Sequence, residues 1–242
     1  MLNVPPVVTA LLALMAAIHA VRELVLSDHA YVEALRWFAF IPARYDPAVV
    51  ARGVPGGVAA QIWTFVTYAF MHGDILHLGV NAVWLLAFGS AVARRFGTFR
   101  FLLFFTVTAA AGAAAHLATH PGAMVPMVGA SAAISGCMAA AIRFAFQGGG
   151  PLGPWRAHEA HAYHVPAAPL RAALTDSRIL AFLLVWFGLN IFFGSGLVSL
   201  GGGDEQQVAW EAHIGGFLAG LILFPWFDPV GRPPQADSNS AH

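Results

Sequence analysis

The sequence predicts an all-α, polytopic membrane protein: a bundle of six transmembrane helices with a long interfacial loop after the first. Hydrophobic residues make up 58% of the 242-residue chain and charged residues only 10%, and the mean hydropathy is +0.68. That is well above the apolar share and well below the charge share of soluble domains. The apolar residues gather into runs close to the ~20 residues that cross a ~30 Å hydrocarbon core. No run alternates as barrel strands do, and a backbone in lipid must satisfy its own hydrogen bonds, so helices are the expected form.

The runs cover residues 5–26, 75–93, 99–117, 126–146, 179–193 and 208–227. The first has no Arg or Lys before Arg22 and so lacks the basic start of a secretory signal; it is read as a retained helix. Residues 27–60 follow as a loop in which Trp37, Phe38, Phe40 and Tyr45 mingle with Arg36, Arg44 and Asp46. Such a mixture suits the membrane interface. The fifth run is the shortest, and the Gly-rich stretch 194–203 after it has the composition of a lid. The stretch 147–176 is rich in Gly, Pro and His, and residues 229–242 have the makeup of a disordered tail. Residues 1–228 are therefore expected to form one membrane domain.

Charge sets the orientation. All 12 basic residues are Arg. With the amino terminus in the cytoplasm, the inner side of a six-span layout collects Arg94, Arg95, Arg100, Arg143, Arg156, Arg171, Arg178 and Arg232. The outer side has Arg22, Arg36, Arg44 and Arg52, so the positive-inside bias favours that orientation. Formal net charge is zero, which leaves no basic surface for nucleic acid. The single cysteine, Cys137, excludes disulfide frameworks and multi-cysteine metal sites and is read as a small core residue.

In this layout the second, fourth and sixth spans all enter from the outer face. His77, Ser131 and His213 each follow a span start by a few residues, which at ~1.5 Å per residue puts them roughly 5 to 10 Å deep. A serine and a histidine at one depth fit nucleophilic catalysis, in which imidazole takes the hydroxyl proton and returns it to the leaving amine. Small residues at four-residue spacing, Ala132, Gly136 and Ala140 beside the serine and Ala212, Gly216 and Gly220 beside the histidine, allow close helix approach. No carboxylate lies inside the fourth span, and Glu211 projects to another side of its helix than His213. A dyad is expected, not a triad. His77 and Asn81, at i and i+4, and the Ser131 amide N–H are the candidate oxyanion donors.

Structural alternatives stand beside these roles. A serine in a membrane helix often bonds the carbonyl four residues back, whereas intramembrane histidines are costly and mark function by default. His72 and His116 read as interfacial or packing residues, with His72 able to support His77. Asn190 reads as a polar contact that glues helices.

The motifs HLGVN (77–81), GASAAISG (129–136) and AHIGGFLAG (212–220) resemble, in order and placement, the rhomboid family of intramembrane serine proteases. The resemblance covers nearly the whole membrane domain. It implies Ser131 as nucleophile, His213 as general base and acid, and His77 with Asn81 as oxyanion donors; His72, Gly129 and Gly216 are the candidate supporting residues. It further implies an outward-opening water-filled cavity and a mobile fifth helix that, with the loop over the site, controls access. Single-pass membrane proteins in the bilayer are the implied substrates, a bacterial-type inner membrane the implied location, and neither cofactor nor metal is implied. Ala132 stands where many members have Gly, and Ser135 where some have an aromatic residue. The family's Trp-Arg pair is missing from the first loop, and Trp155-Arg156 lies in another one. These differences bear on rate and substrate choice.

Three other readings remain open. A non-catalytic relative would bind transmembrane clients without cutting them. A transporter would use the same polar groups as a pathway, although no inverted repeat is visible. A metal enzyme would draw on His158, Glu159, His161 and His164, but HEAH separates its histidines by three, not the four of a zincin helix.

Overall fold

The computed structural model describes residues 4–51, 53–152, 159–194 and 209–231. Among these, every regular element is helical, apart from one antiparallel bridge between Phe40 and Met127. The principal helices are α1 (Pro6–Leu24), α2 (Asp28–Phe38), α3 (Gly57–Thr67), α4 (Ile75–Phe96), α5 (Thr98–Thr119), α6 (Ser131–Ala141), α7 (Ser177–Gly194) and α8 (Trp210–Phe227). Three of them, α1, α4 and α5, are long and apolar enough to cross a membrane. The lid stretch after Gly194, Trp155-Arg156, His158, Val208 and the tail after Gly231 lie outside the described residues.

The local chemistry of each start is visible. Ser27 accepts the Ala30 N–H at the head of α2, and Asp74 accepts the His77 N–H at 2.8 Å at the head of α4. Within α4 the turn Leu85–Gly89 winds as π-helix, a local widening common near functional positions. At the head of α7 the Asp176 carboxylate accepts from the backbone N–H groups of Arg178 and Ile179 and from the Arg178 guanidinium. The Arg178 bond, ahead of the backbone bonds, holds that carboxyl down at about 2.

The centre of the bundle is α6, whose residues from Ala132 to Ala141 are all buried between α5 and α8. The small residues let backbone meet backbone. A Cβ added at Gly220 would sit 2.5 Å from the Gly136 carbonyl oxygen, one at Gly136 would sit 2.5 Å from Thr108 Cβ, and one at Gly216 would collide with the Ala132 carbonyl. The outer helix faces carry large apolar side chains, among them Val83, Leu103, Leu184 and Ile222, surface that hydrocarbon satisfies better than water.

Two expectations need correction. The fourth run, 126–146, is helical only over Ser131–Ala141. Ahead of it, Met127 is held in the bridge to Phe40 and Gly129 has φ +116°, both incompatible with helix. Behind it, Arg143 and Phe144 donate three residues back, to Ala140 and Ala141, and the chain turns. Likewise, residues 27–60 are not a plain loop. They hold α2 and the start of α3, tied together by stacked Trp37 and Trp63 rings 6.3 Å apart and by Trp63 Nε1 donating to the Trp37 carbonyl at 2.9 Å. Arg44, buried, donates to the Pro55 carbonyl at 2.8 Å and also to that of Arg36.

This first segment clamps the strand-like approach to α6. Phe40 and Met127 exchange backbone bonds of 3.1 and 2.8 Å, and the Ala43 N–H donates to the Ala123 carbonyl at 2.9 Å. At the opposite end of the bundle, buried Arg95 makes a two-pronged pair with Asp228 at 2.8 and 2.9 Å and donates to the carbonyls of Tyr163 and Val165. The ends of α4 and α8 are thereby pinned, with desolvation offset by four charge-assisted bonds.

Candidate active site

Ser131 is the first residue of α6, and His213 lies in the first turn of α8. His213 Nε2 stands 2.6 Å from Ser131 Oγ. The two helices arrive there because their small-residue faces interlock just below, at Ala132 against Gly216 and Gly136 against Gly220.

The other imidazole nitrogen, Nδ1, is in hydrogen-bond contact with Asn190 Oδ1 from α7. Asn190 is buried, and its Nδ2 donates to the Trp186 carbonyl at 2.8 Å, which fixes the amide with Oδ1 towards His213. An amide oxygen only accepts, so Nδ1 must carry the proton, and Nε2 is left with its lone pair facing the serine hydroxyl. That tautomer is the one able to accept the Oγ proton. The sequence predicts a helix-gluing contact for Asn190, and Asn190 joins α7 to α8. Its second effect, on the tautomer of His213, could not be read from a lone Asn far along the chain.

His77 is in the first turn of α4, and its ring lies over Gly129, two residues before the serine. A Cβ built on Gly129 would be 2.6 Å from His77 Nε2 and 2.8 Å from Cε1. Glycine is required here twice over, by that approach and by φ +116°. The Gly129 N–H donates to the Tyr68 carbonyl at 3.0 Å, and the buried Tyr68 hydroxyl donates to the Ala109 carbonyl at 2.8 Å, so the turn before Ser131 is fixed on α5. Asn81, one turn beyond His77 and buried, donates one amide hydrogen to the His77 carbonyl at 2.9 Å and keeps a second N–H.

His72 packs its ring 5.1 Å from that of His77. It is buried, and burial first, then His77 and His19, lower it to about 4, so at neutral pH it is uncharged. Ser135 donates to the Ser131 carbonyl at 2.7 Å, and Ala132 is buried. Cys137 is buried and unpaired. Glu211 faces away from the Ser131–His213 contact, towards His120 at 3.8 Å.

A comparison with known families matches residues 59–227 to the Rhomboid domain. Among curated proteins, the chain is 27% identical over 168 residues to Rhomboid-like protease 3 of Toxoplasma gondii, covering 69% of this chain and 52% of that one. It is 25% identical over 166 residues to Rhomboid protease GlpG of Yersinia pestis, covering 69% and 48%. It is also 37% identical over 78 residues to Rhomboid protease GluP of Bacillus subtilis, covering 32% and 15%. The chain thus spans about half the length, or less, of these relatives. Since the domain match takes in Ser131, His213, His77 and Asn81 and extends over most of the sequence, the chain belongs to the rhomboid family.

Proposed function

We infer that this protein is an intramembrane serine endopeptidase that hydrolyses peptide bonds in or next to the transmembrane segments of membrane-protein substrates. The observation that carries this reading is the 2.6 Å contact between His213 Nε2 and Ser131 Oγ, with Nδ1 engaged by Asn190. His213 takes the hydroxyl proton as Oγ attacks the carbonyl carbon, and returns it to the departing amine; water then repeats the sequence on the acyl-enzyme. Asn190 positions the imidazole and steadies its charged form. His77, the second N–H of Asn81 and the Ser131 amide N–H receive the oxyanion, each donor being worth ~10²–10³ in rate.

The reading extends to topology. One rhomboid-like domain, residues 1–228, spans the membrane six times with its amino terminus in the cytoplasm and its site opening to the outer face, as the arginine distribution favours. A bacterial-type inner membrane fits that arrangement. Single-pass proteins are the substrates, and segments holding Gly or Pro are the better ones, because a helix must unwind to present its carbonyl.

The test is cleavage of a reporter transmembrane protein in liposomes. Intact protein cuts it; Ser131→Ala and His213→Ala, still helical by circular dichroism, do not. Normal cutting by Ser131→Ala refutes the assignment. A non-catalytic, client-binding relative is the alternative. A serine-directed fluorophosphonate separates the two, because only a base-paired hydroxyl reacts quickly.

A further inference from the structure

Beside the Ser131–His213 contact, on the far side of α8, a second cluster has no part in the reaction above. His116 lies in the last turn of α5 and His120 is the non-helical residue that caps it, and Glu211 at the start of α8 faces them. One ligand-capable atom from each of the three lies within 4.8 Å of the other two. The two imidazole rings stack with centroids 4.6 Å apart.

The hydrogen bonding is compatible with a cation. The Thr119 hydroxyl lies 3.0 and 3.2 Å from the backbone carbonyls of Ala115 and His116 and 2.9 Å from His120 Nδ1. When that hydroxyl donates to a carbonyl, Nδ1 donates to it and Nε2 keeps its lone pair, 3.8 Å from Glu211 Oε1. In that tautomer two acceptors face one another. One turn earlier, His116 Nδ1 is buried without a hydrogen-bond partner, an expensive state for an imidazole nitrogen. A cation between the three residues would give His120 Nε2 and Glu211 a common partner and engage His116 as well.

We propose that His116, His120 and Glu211 form a divalent transition-metal site, of the zinc class, that cross-links the outer end of α5 to the start of the α8 helix carrying His213. Two imidazoles and one carboxylate are a recognised zinc ligand set, and the turn out of α5 at His120 brings its ring onto that of His116. Tetrahedral ligands with Zn–N near ~2.0–2.1 Å sit about 3.4 Å apart. The donors, within 4.8 Å of one another, need to close by up to about 1.4 Å, which side-chain rotation of the partly exposed His120 and Glu211 supplies. Thr119 is the outer partner of His120 Nδ1. Spacing in the sequence did not show this site, because the third ligand lies on a helix distant along the chain.

The experiment uses the full chain without an affinity tag, in detergent, with Zn²⁺ titrated against a chromophoric chelator and thermal unfolding followed in parallel. One equivalent is expected to bind and raise the unfolding temperature, and Co²⁺ is expected to give the visible absorption of a tetrahedral N/O site. His120→Asn and Glu211→Gln should each weaken Zn²⁺ binding by at least ~10-fold, the lower range for loss of a mere outer-shell partner, and abolish the Co²⁺ bands. Both positions are partly exposed, and unfolding without metal checks that the variants fold. The loop variant H158A/H161A/H164A should bind as the parent does. Absence of saturable binding in the parent overturns the proposal, as does binding undiminished in His120→Asn and Glu211→Gln, or lost in the loop variant.

Discussion

Replacing Asn190 by Leu removes the acceptor that holds the His213 Nδ1–H while keeping the buried volume nearly constant. Asn190 Oδ1 is the only partner of Nδ1 among the described residues, and during attack the ring it holds becomes cationic. A hydrogen bond to a charged group contributes about 1.5–3 kcal/mol, and each 1.36 kcal/mol is tenfold in rate, so kcat should fall about 10- to 150-fold. KM should hold, because Asn190 touches the imidazole and not the substrate. The Trp186 carbonyl that also loses a donor sits in a helix, so the fold should tolerate the change. The assay is saturating cleavage of the reporter substrate in liposomes, with fluorophosphonate labelling of Ser131 alongside. Both should fall together in Asn190→Leu, and Asn190→Asp, which keeps an oxygen at the same place, should recover much of the loss. Wild-type kcat and labelling in Asn190→Leu would refute the positioning role. A fall in Asn190→Leu that Asn190→Asp does not relieve would mean that packing, not the tautomer, is at stake.

Gly129→Ala places a methyl 2.6 Å from His77 Nε2 at a backbone φ of +116°. It should cost ~1–3 kcal/mol of stability and displace His77, and a variant with wild-type unfolding temperature and turnover would contradict the tight-approach argument. His77→Ala and Asn81→Ala should each lower kcat ~10²–10³-fold, and the double variant by less than the product, because both serve one oxygen; full multiplicativity would separate their tasks. His72 faces His77, His19 and Asp74, and binds its proton near pH 4 when folded but at 6.5 in its ordinary state. Its contribution is therefore complete above pH 6.5, shrinks as pH falls towards 4 and levels off below, amounting to on the order of 3 kcal/mol. Unfolding temperature should drop across that window and drop less in His72→Gln; identical pH profiles would refute it.

The amino-acid sequence by itself pointed to a membrane as the chain's solvent and to the residues that are candidates for the site. Apolar runs fix helices wherever backbone groups must bond to one another, so α1, α4, α5, α7 and α8 were legible within a few residues of their ends. The recurrence of small residues announced the α6 and α8 faces, since only a missing side chain lets two backbones touch, as Gly216 and Ala132 do. Shared depth singled out Ser131, His213 and His77 because helical rise converts residue number into distance. Periodicity could not see the unwound approach to α6. Met127 is taken from the helix by a backbone bridge to Phe40, a long-range choice with no local signal. Nor could it tell that Asn190, a single polar residue in an apolar helix, selects a histidine tautomer, or that His116, His120 and Glu211 converge. Each is a relation among side chains on different helices, and only tertiary packing sets the rotation of one helix against another.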